Sequence, residues 1–206
     1  DTADDRWAVM RIGHEMNGNW YPYSPTYPGA NQTVEDYKNM WIRVKKMFNS
    51  GGVGGNRLPF VFCPNFKDSD SPKMEEFWPG AEFVDWLCVD GYNWGTVESW
   101  SSWMEPKDVF QDMISRLRQL GGAGKYLAIG EYGTVKEGGD KNKWIEDAVD
   151  YFVEQNATVA CYFNFDMLPT DWGMFGGKFG DSTFLFNGTA YNVWSGYKTA
   201  IQKLES

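Results

Sequence analysis

Cysteine is scarce: Cys63, Cys88 and Cys161 are the whole supply, an odd number with no C-x-x-C pair. That argues against a disulfide framework or a zinc site. Each cysteine lies in a short apolar run (FVFCP, WLCVDGY, VACYF) that reads as a buried strand, so three free, buried thiols are expected. Long apolar runs are missing too. None approaches the roughly 18 residues of a membrane helix, and the chain does not begin with a charged-then-apolar leader, so no membrane insertion is expected. Positive charge is short, with 19 basic against 28 acidic side chains and a net charge of −9. Such a surface repels nucleic acid and anionic lipid and leaves neutral or cationic partners. Phosphate loops, dinucleotide fingerprints and metal-ligand spacings are absent, so neither cofactor nor metal is expected.

Aromatic residues are abundant: 11 Trp, 11 Tyr and 14 Phe in 206 residues. Core packing is one use for them, and flat platforms for sugar rings are another. With 42% hydrophobic residues, the chain can bury the core of one domain spanning 1–206.

Five apolar runs end in polar or glycine-containing turns: WAVMRIGHE (7–15), RLPFVFCPN (57–65), VDWLCVDGYN (84–93), KYLAIGEYG (125–133) and TVACYFNFD (158–166). Each reads as a strand. Helical periodicity covers 34–48, 76–83, 109–120, 143–155 and 191–204. Strand alternating with helix implies parallel strands joined by crossovers. A complete eight-stranded barrel needs about 250 residues, or roughly 31 per unit. Strand ends near 15, 65, 93, 133 and 166 leave spacings of 50, 28, 40 and 33 residues, which predicts five βα units and no hidden strand. The fold class is therefore α/β, part of a (β/α)8 barrel.

Polar residues gather at the strand ends: His14, Glu15 and Asn17; Asn65; Asp90, Tyr92, Asn93 and Trp94; Glu131 and Tyr132; Asn164 and Asp166. Barrel active sites sit at the C-terminal ends of the strands. Glu15 follows RIGH and Glu131 follows LAIG, positions where an ionised carboxylate is costly without partners. A pair of carboxyl groups in such places suits glycoside hydrolysis, one to protonate the leaving oxygen and one to attack the anomeric carbon or activate water. Arg11, inside the first strand, requires a carboxylate partner.

The segment RIGHEMNGNWYPYS (11–24) resembles the acid/base motif of glycoside hydrolase family 26, on the fourth barrel strand. IGEYGT (129–134) is similar to that family's nucleophile motif on strand seven, and FWPGAEFVDWLCVDGYNWG (77–95) to its approach to strand six. The resemblance implies a retaining endo-glycanase on strands four to eight of a (β/α)8 barrel, lacking the first three βα units. It implies Glu15 as acid/base and Glu131 as nucleophile, with carboxyl groups about 5 to 5.5 Å apart. It further implies that His14 orients the site or contacts sugar, that Tyr92 hydrogen-bonds the nucleophile, and that Trp20 and Trp94 form sugar platforms. Asn17 and Trp172 join them as expected substrate-binding residues, and Trp100 and Trp103 either extend the subsites or cap the core.

The expected substrate is a β-linked polysaccharide, β-1,4-mannan first, with mixed-linkage β-glucan and xylan as alternatives within the family. A non-catalytic carbohydrate-binding or structural half barrel is the alternative outside it. Such a polymer substrate places the protein outside the cell. A partial barrel has open strand edges, so a second chain or self-association is expected to complete it. The triplets NQT (31–33), NAT (156–158) and NGT (187–189) fit an N-glycosylation acceptor, a pattern common by chance.

Overall fold

The computed structural model describes residues 8–53, 57–167 and 169–205. The chain divides into two compact units, Asp1–Asp90 with Asp112–Gly130, and Gly91–Gln111 with Glu131–Ser206. Strands β2 (Trp86–Asn93) and β3 (Tyr126–Thr134) each begin in the first unit and end in the second, while helix α2 (Pro106–Gly121) runs the other way.

In the first unit, β1 (Val61–Phe62) pairs in parallel with β2, Val61 opposite Trp86 and Phe62 opposite Leu87. The expected first strand, 7–15, is not a regular strand. Residue 7 lies outside the described residues, and the remainder makes one parallel bridge, Met10 with Phe60, before the backbone turns at Gly13. Its hydrogen bonds are nevertheless strand-like, because Met10 donates to the Pro59 carbonyl and Val61 to the Met10 carbonyl, each at 2.9 Å. A reverse turn needed to aim Glu15 cuts short a ladder that the apolar run alone would have extended.

Helix α1 (Val34–Ser50) starts at a capping box, in which Asp36 N donates to the Thr33 hydroxyl at 3.1 Å and Thr33 N to the Asp36 carboxylate at 2.8 Å. Such a cap stabilises a helix by about 1 kcal/mol. The helix buries Tyr37 and Trp41. The Trp41 ring meets Phe60 and Phe62 edge-on, at 6.1 and 5.7 Å, and its indole N–H donates to the Phe83 carbonyl. Lys45 on the same face is buried against Asp85 at 2.5 Å, so its charge is compensated. The expected helix at 76–83 is a single 3-10 turn, Met74–Phe77.

The cysteines depart from expectation. Cys63 and Cys88 stand side by side where β1 and β2 run parallel, Cα atoms 4.3 Å apart, and form a disulfide; Cys161 is exposed. The two cysteines lie 25 residues apart in separate apolar runs, and only the pairing of those runs brings the sulfurs together.

In the second unit, β4 (Ala157–Tyr162) neighbours β3, and α3 (Lys141–Glu154) packs against α4 (Ser195–Glu205) through Ile145, Val149 and Ala200, with Met174 completing the cluster. Four of the six residues of β4 are exposed. β3 and β4 are each reached through an α-helix, and β2 through the crossover that carries the 3-10 turn, the kind of connection that parallel neighbours require.

Two further strands overturn the count of five with none hidden. β5 (Ser182–Phe186) and β6 (Thr189–Val193) form an antiparallel hairpin. Its turn is Asn187-Gly188, both at positive φ (48° and 78°), as a two-residue turn of this type demands. The NGT triplet at 187–189 is thus a tight hairpin turn, and β6 occupies the start of the helix expected from 191. Among the described residues, no helix is long and apolar enough to cross a membrane.

Candidate active site

Glu15 is presented on a turn held from several sides. Its backbone lies at φ 53°, the left-handed region that a side chain with a Cβ occupies at a cost of about 1–2 kcal/mol. Surrounding bonds hold it there. Glu15 N donates to the Cys63 carbonyl at 2.7 Å, Tyr37 Oη to Gly13 O at 2.9 Å, Tyr23 Oη to His14 O at 2.6 Å, and Ser24 Oγ to Met16 O at 2.7 Å. Strain of this kind persists only where surrounding contacts hold the backbone, as these four hydrogen bonds do.

Both carboxylate oxygens of Glu15 accept a hydrogen bond. Trp20 Nε1 donates to Oε2 at 2.7 Å and Asn65 Nδ2 to Oε1 at 2.8 Å. Gly18 makes the first contact sterically feasible, since a Cβ at that position would stand 2.3 Å from the Trp20 ring. Trp20 keeps 44% of its surface exposed, so one indole both holds the carboxylate and faces solvent. His14 Nε2 lies 3.1 Å from Tyr21 Oη, and the Tyr21 and Tyr23 rings stack at 5.0 Å. The Tyr23 hydroxyl is kept neutral by burial first, with the nearby Tyr21 and Glu15 adding to the effect.

Asn17 has a different place from the one expected of a sugar contact. It is fully buried, donates to Asn65 O (3.0 Å) and to Asp68 (2.9 Å), and accepts from Asn65 N (2.8 Å). Its amide is occupied in holding the residue that holds Glu15. Arg11 has the carboxylate partner its position requires, buried Asp90, with Nη1 2.8 and 2.7 Å from the two oxygens.

The second unit carries Glu131 on β3. The Tyr92 hydroxyl, on β2, donates to Glu131 Oε2. Tyr92 is itself fixed by rings: Phe163 at 5.6 Å and Trp172 at 5.0 Å. Trp94 stands edge-on to Trp172 at 5.0 Å and packs on Trp100 at 5.4 Å. These side chains border a cavity of about 270 Å³ whose lining includes Tyr92, Trp94, Phe163, Met167, Thr170 and Trp172. Trp172 is only 3% exposed and forms a wall; Trp100, 69% exposed, is the one free to extend the surface.

Other strand-end residues do structural work. Tyr132 points away from Glu131, because successive strand side chains face opposite ways, and it packs on Phe152 and Tyr162. Asn93 is buried and holds Thr134, Gly95 N and Met104 N. Asn164 and Asp166 accept from the backbone of Met174, Gly173 and Lys178, shaping the loop that carries Trp172. Trp103 bonds exposed Glu105 and covers Gly139.

Sequence patterns gave no sign of Lys141. This first residue of α3 is buried with its ammonium donating to the carbonyls of Asp171 and Gly173, on either side of Trp172, and 3.6 Å from the Asp171 carboxylate. Burial pushes its pKa down to about 8, against the opposing pull of Asp171 and Asp166. From pH 8 to 10 the unfolded chain therefore holds a proton that the folded one has released, so folding stability rises with pH there, by up to about 3 kcal/mol. Above pH 10 the trend reverses, because burial holds Tyr132 up to about 12 and Tyr37 well above its usual value. Urea unfolding should show stability climbing between pH 8 and 10 in the parent and a flat profile in Lys141→Met. An identical slope in both would refute the assignment.

Strands reached through helices, with carboxylates where the ladders end, place the chain in the α/β class whose active sites lie at the C-terminal ends of barrel strands. The family model described as Glycosyl hydrolase family 26 matches residues 4–159. The chain belongs to that family, whose members imply a (β/α)8 barrel. It is 32% identical over 166 residues to "Endoglucanase H" of Acetivibrio thermocellus, covering 79% of this chain and 18% of that protein. It is 27% identical over 201 residues to "Mannan endo-1,4-beta-mannosidase" of Bifidobacterium adolescentis, covering 91% of this chain and 18% of that protein. Among solved structures, a GH26 β-mannanase from Bacteroides ovatus superposes with a TM-score of 0.55 at 19% identity, over 76% of this chain and 42% of that one. The chain thus spans about a fifth of these curated relatives and about two-fifths of that structure.

Proposed function

We propose that this chain carries the catalytic carboxyl groups of a retaining endo-glycoside hydrolase acting outside the cell on a β-linked polysaccharide, β-1,4-mannan first. The observation that carries the proposal is the treatment of the two glutamates. Glu15 is kept on a strained turn with both oxygens hydrogen-bonded, and Glu131 is held by a tyrosine hydroxyl beside an aromatic cavity.

In the first step, a Glu131 oxygen attacks the anomeric carbon as the glycosidic bond breaks, and Glu15 delivers its proton to the departing sugar oxygen. Tyr92, donating to Oε2 of Glu131, holds the carboxylate in a fixed orientation for the attack. In the second step, Glu15, now a carboxylate, takes a proton from water, which attacks the same carbon and releases Glu131. Two inversions return the original anomer. Trp20 and Trp94 serve as sugar platforms, Trp172 stiffens the wall behind Trp94, and His14 orients the rim beside Glu15.

The relative named for endoglucanase activity favours a second reading, β-glucan as substrate. Mannosides and glucosides differ at one hydroxyl, and a site that hydrogen-bonds that group separates them strongly. A screen on mannan, glucomannan, mixed-linkage glucan and xylan, with the product anomer followed by NMR, decides between them. Mannan turnover with β-product first supports the proposal, preference for mixed-linkage glucan supports the second reading, and an α-product overturns retention. Glycan binding without turnover of any polymer would make the chain a binding module.

A further inference from the structure

Behind Glu15 lies a continuous line of hydrogen bonds, all within the first unit, that ends on helix α2. Asn65 is not free to rotate its amide: its Oδ1 accepts from Lys67 N at 3.1 Å, which forces Nδ2 toward Glu15. Asn17 grips both the N–H and the C=O of Asn65. The same Asn17 Nδ2 donates to Asp68 Oδ1 at 2.9 Å, an oxygen that also accepts from Met74 N at 3.0 Å. The other oxygen of Asp68 meets Arg116 Nη2 at 2.8 Å. Arg116 forks onto Glu75 through Nε and Nη2, both at 2.6 Å, and its third arm reaches Asp112 at 3.3 Å. The Asp68 side chain is 7% exposed, so its charge is costly unless answered, and Arg116 answers it.

We infer that the Asp68–Arg116 ion pair is a positioning device for the acid/base, fixing the amides of Asn17 and Asn65 and through them the orientation of the Glu15 carboxyl group. This rests on Glu15 being the acid/base. Neither Asp68 nor Arg116 touches the carboxylate, so both are positioning residues. An ordinary surface ion pair would contribute little. This one differs in that Asn17 and Asp68, the two middle members of the line, each have both ends of the side chain held, so a displacement at Arg116 is passed along the chain of amides.

The test compares Arg116→Met, Arg116→Lys and Asp68→Asn in the full-length protein, on polymer and on an aryl glycoside with a strongly acidic phenol as leaving group. The phenol departs without protonation, so misplacing the acid harms glycosylation of the polymer alone. Arg116→Met and Asp68→Asn are expected to lose about tenfold, up to about 10²-fold, in kcat/KM on polymer, while the pre-steady-state burst of phenol stays within about twofold. Arg116→Lys should recover part of the loss. Loosening Asn65 also removes a donor to the ionised carboxyl group, so the basic limb of the pH profile should move upward, and ¹³C NMR titration of Glu15 should move with it, a reading that requires no turnover. In an Asn65→Ala background the effect of Arg116→Met should vanish.

Equal losses on both substrates, or an unmoved Glu15 titration in folded variants, would overturn the inference. Glu15→Gln in the same assays separates the two levels. If that variant shows no dependence on leaving group, the acid/base assignment fails. If it does and the Asp68 and Arg116 variants do not, only the positioning role fails.

Discussion

Glu131→Ala is expected to lower kcat/KM on polymer by 10⁴-fold or more, about 5.5 kcal/mol of transition-state stabilisation. The loss is large because the proposed first step forms a bond to this oxygen, and water in the vacated space lacks both the charge and the placement. Far-ultraviolet circular dichroism should be unchanged, since Glu131 is half-buried and its hydrogen bond is to Tyr92, a residue that lines the second unit's aromatic cavity. Adding azide supplies a small anion to the space left by the side chain. It should restore cleavage of an activated aryl glycoside and yield a glycosyl azide of inverted configuration, because attack then comes from the face that Glu131 used and stops after one displacement. Residual activity within tenfold of the parent, or a rescued product of retained configuration, would remove Glu131 from the nucleophile role.

Glu15→Gln should show a different signature. General acid catalysis contributes about 10²–10⁴-fold, so loss on polymer of that order is expected, with the first step on an aryl glycoside of strongly acidic phenol nearly intact. Breakdown of the glycosyl-enzyme still requires a base, so the covalent intermediate should accumulate and appear as a burst of phenol followed by slow turnover. Glutamine preserves the contact to Trp20 or to Asn65 only in part, since both neighbours donate and an amide nitrogen cannot accept. A variant that loses polymer and aryl activity in equal proportion would exclude Glu15 as the acid.

Much of this was legible in the residues alone. Four of the expected helices exist within a few residues of their expected bounds, because each has an apolar face at helical spacing, and α1 also carries its own cap. The runs 84–93 and 125–133 are strands as expected, observed as Trp86–Asn93 and Tyr126–Thr134. The hairpin of β5 and β6 was legible too, in Asn-Gly flanked by alternating side chains, but the triplet it forms with Thr189 also has a chemical reading that hides the turn. The first run, by contrast, is apolar enough for a strand and is diverted by bonds from Tyr37, Tyr23 and Ser24, residues 8 to 24 positions away from the ones they bond.

What the sequence by itself determined is local: where helices start and stop, which runs extend, and which residue types stand at their ends, including Glu15 and Glu131. These follow from spacing and propensity, which act over a few residues. Tertiary structure alone decided what those residues touch. The disulfide of Cys63 with Cys88, the burial of Asn17 against Asn65, the wall made by Trp172 and the ion pair of Asp68 with Arg116 join positions 25 to 80 residues apart or enclose side chains that look exposed in a loop. Hydrogen bonds and packing are short-ranged in space and indifferent to separation along the chain, so no periodicity records them.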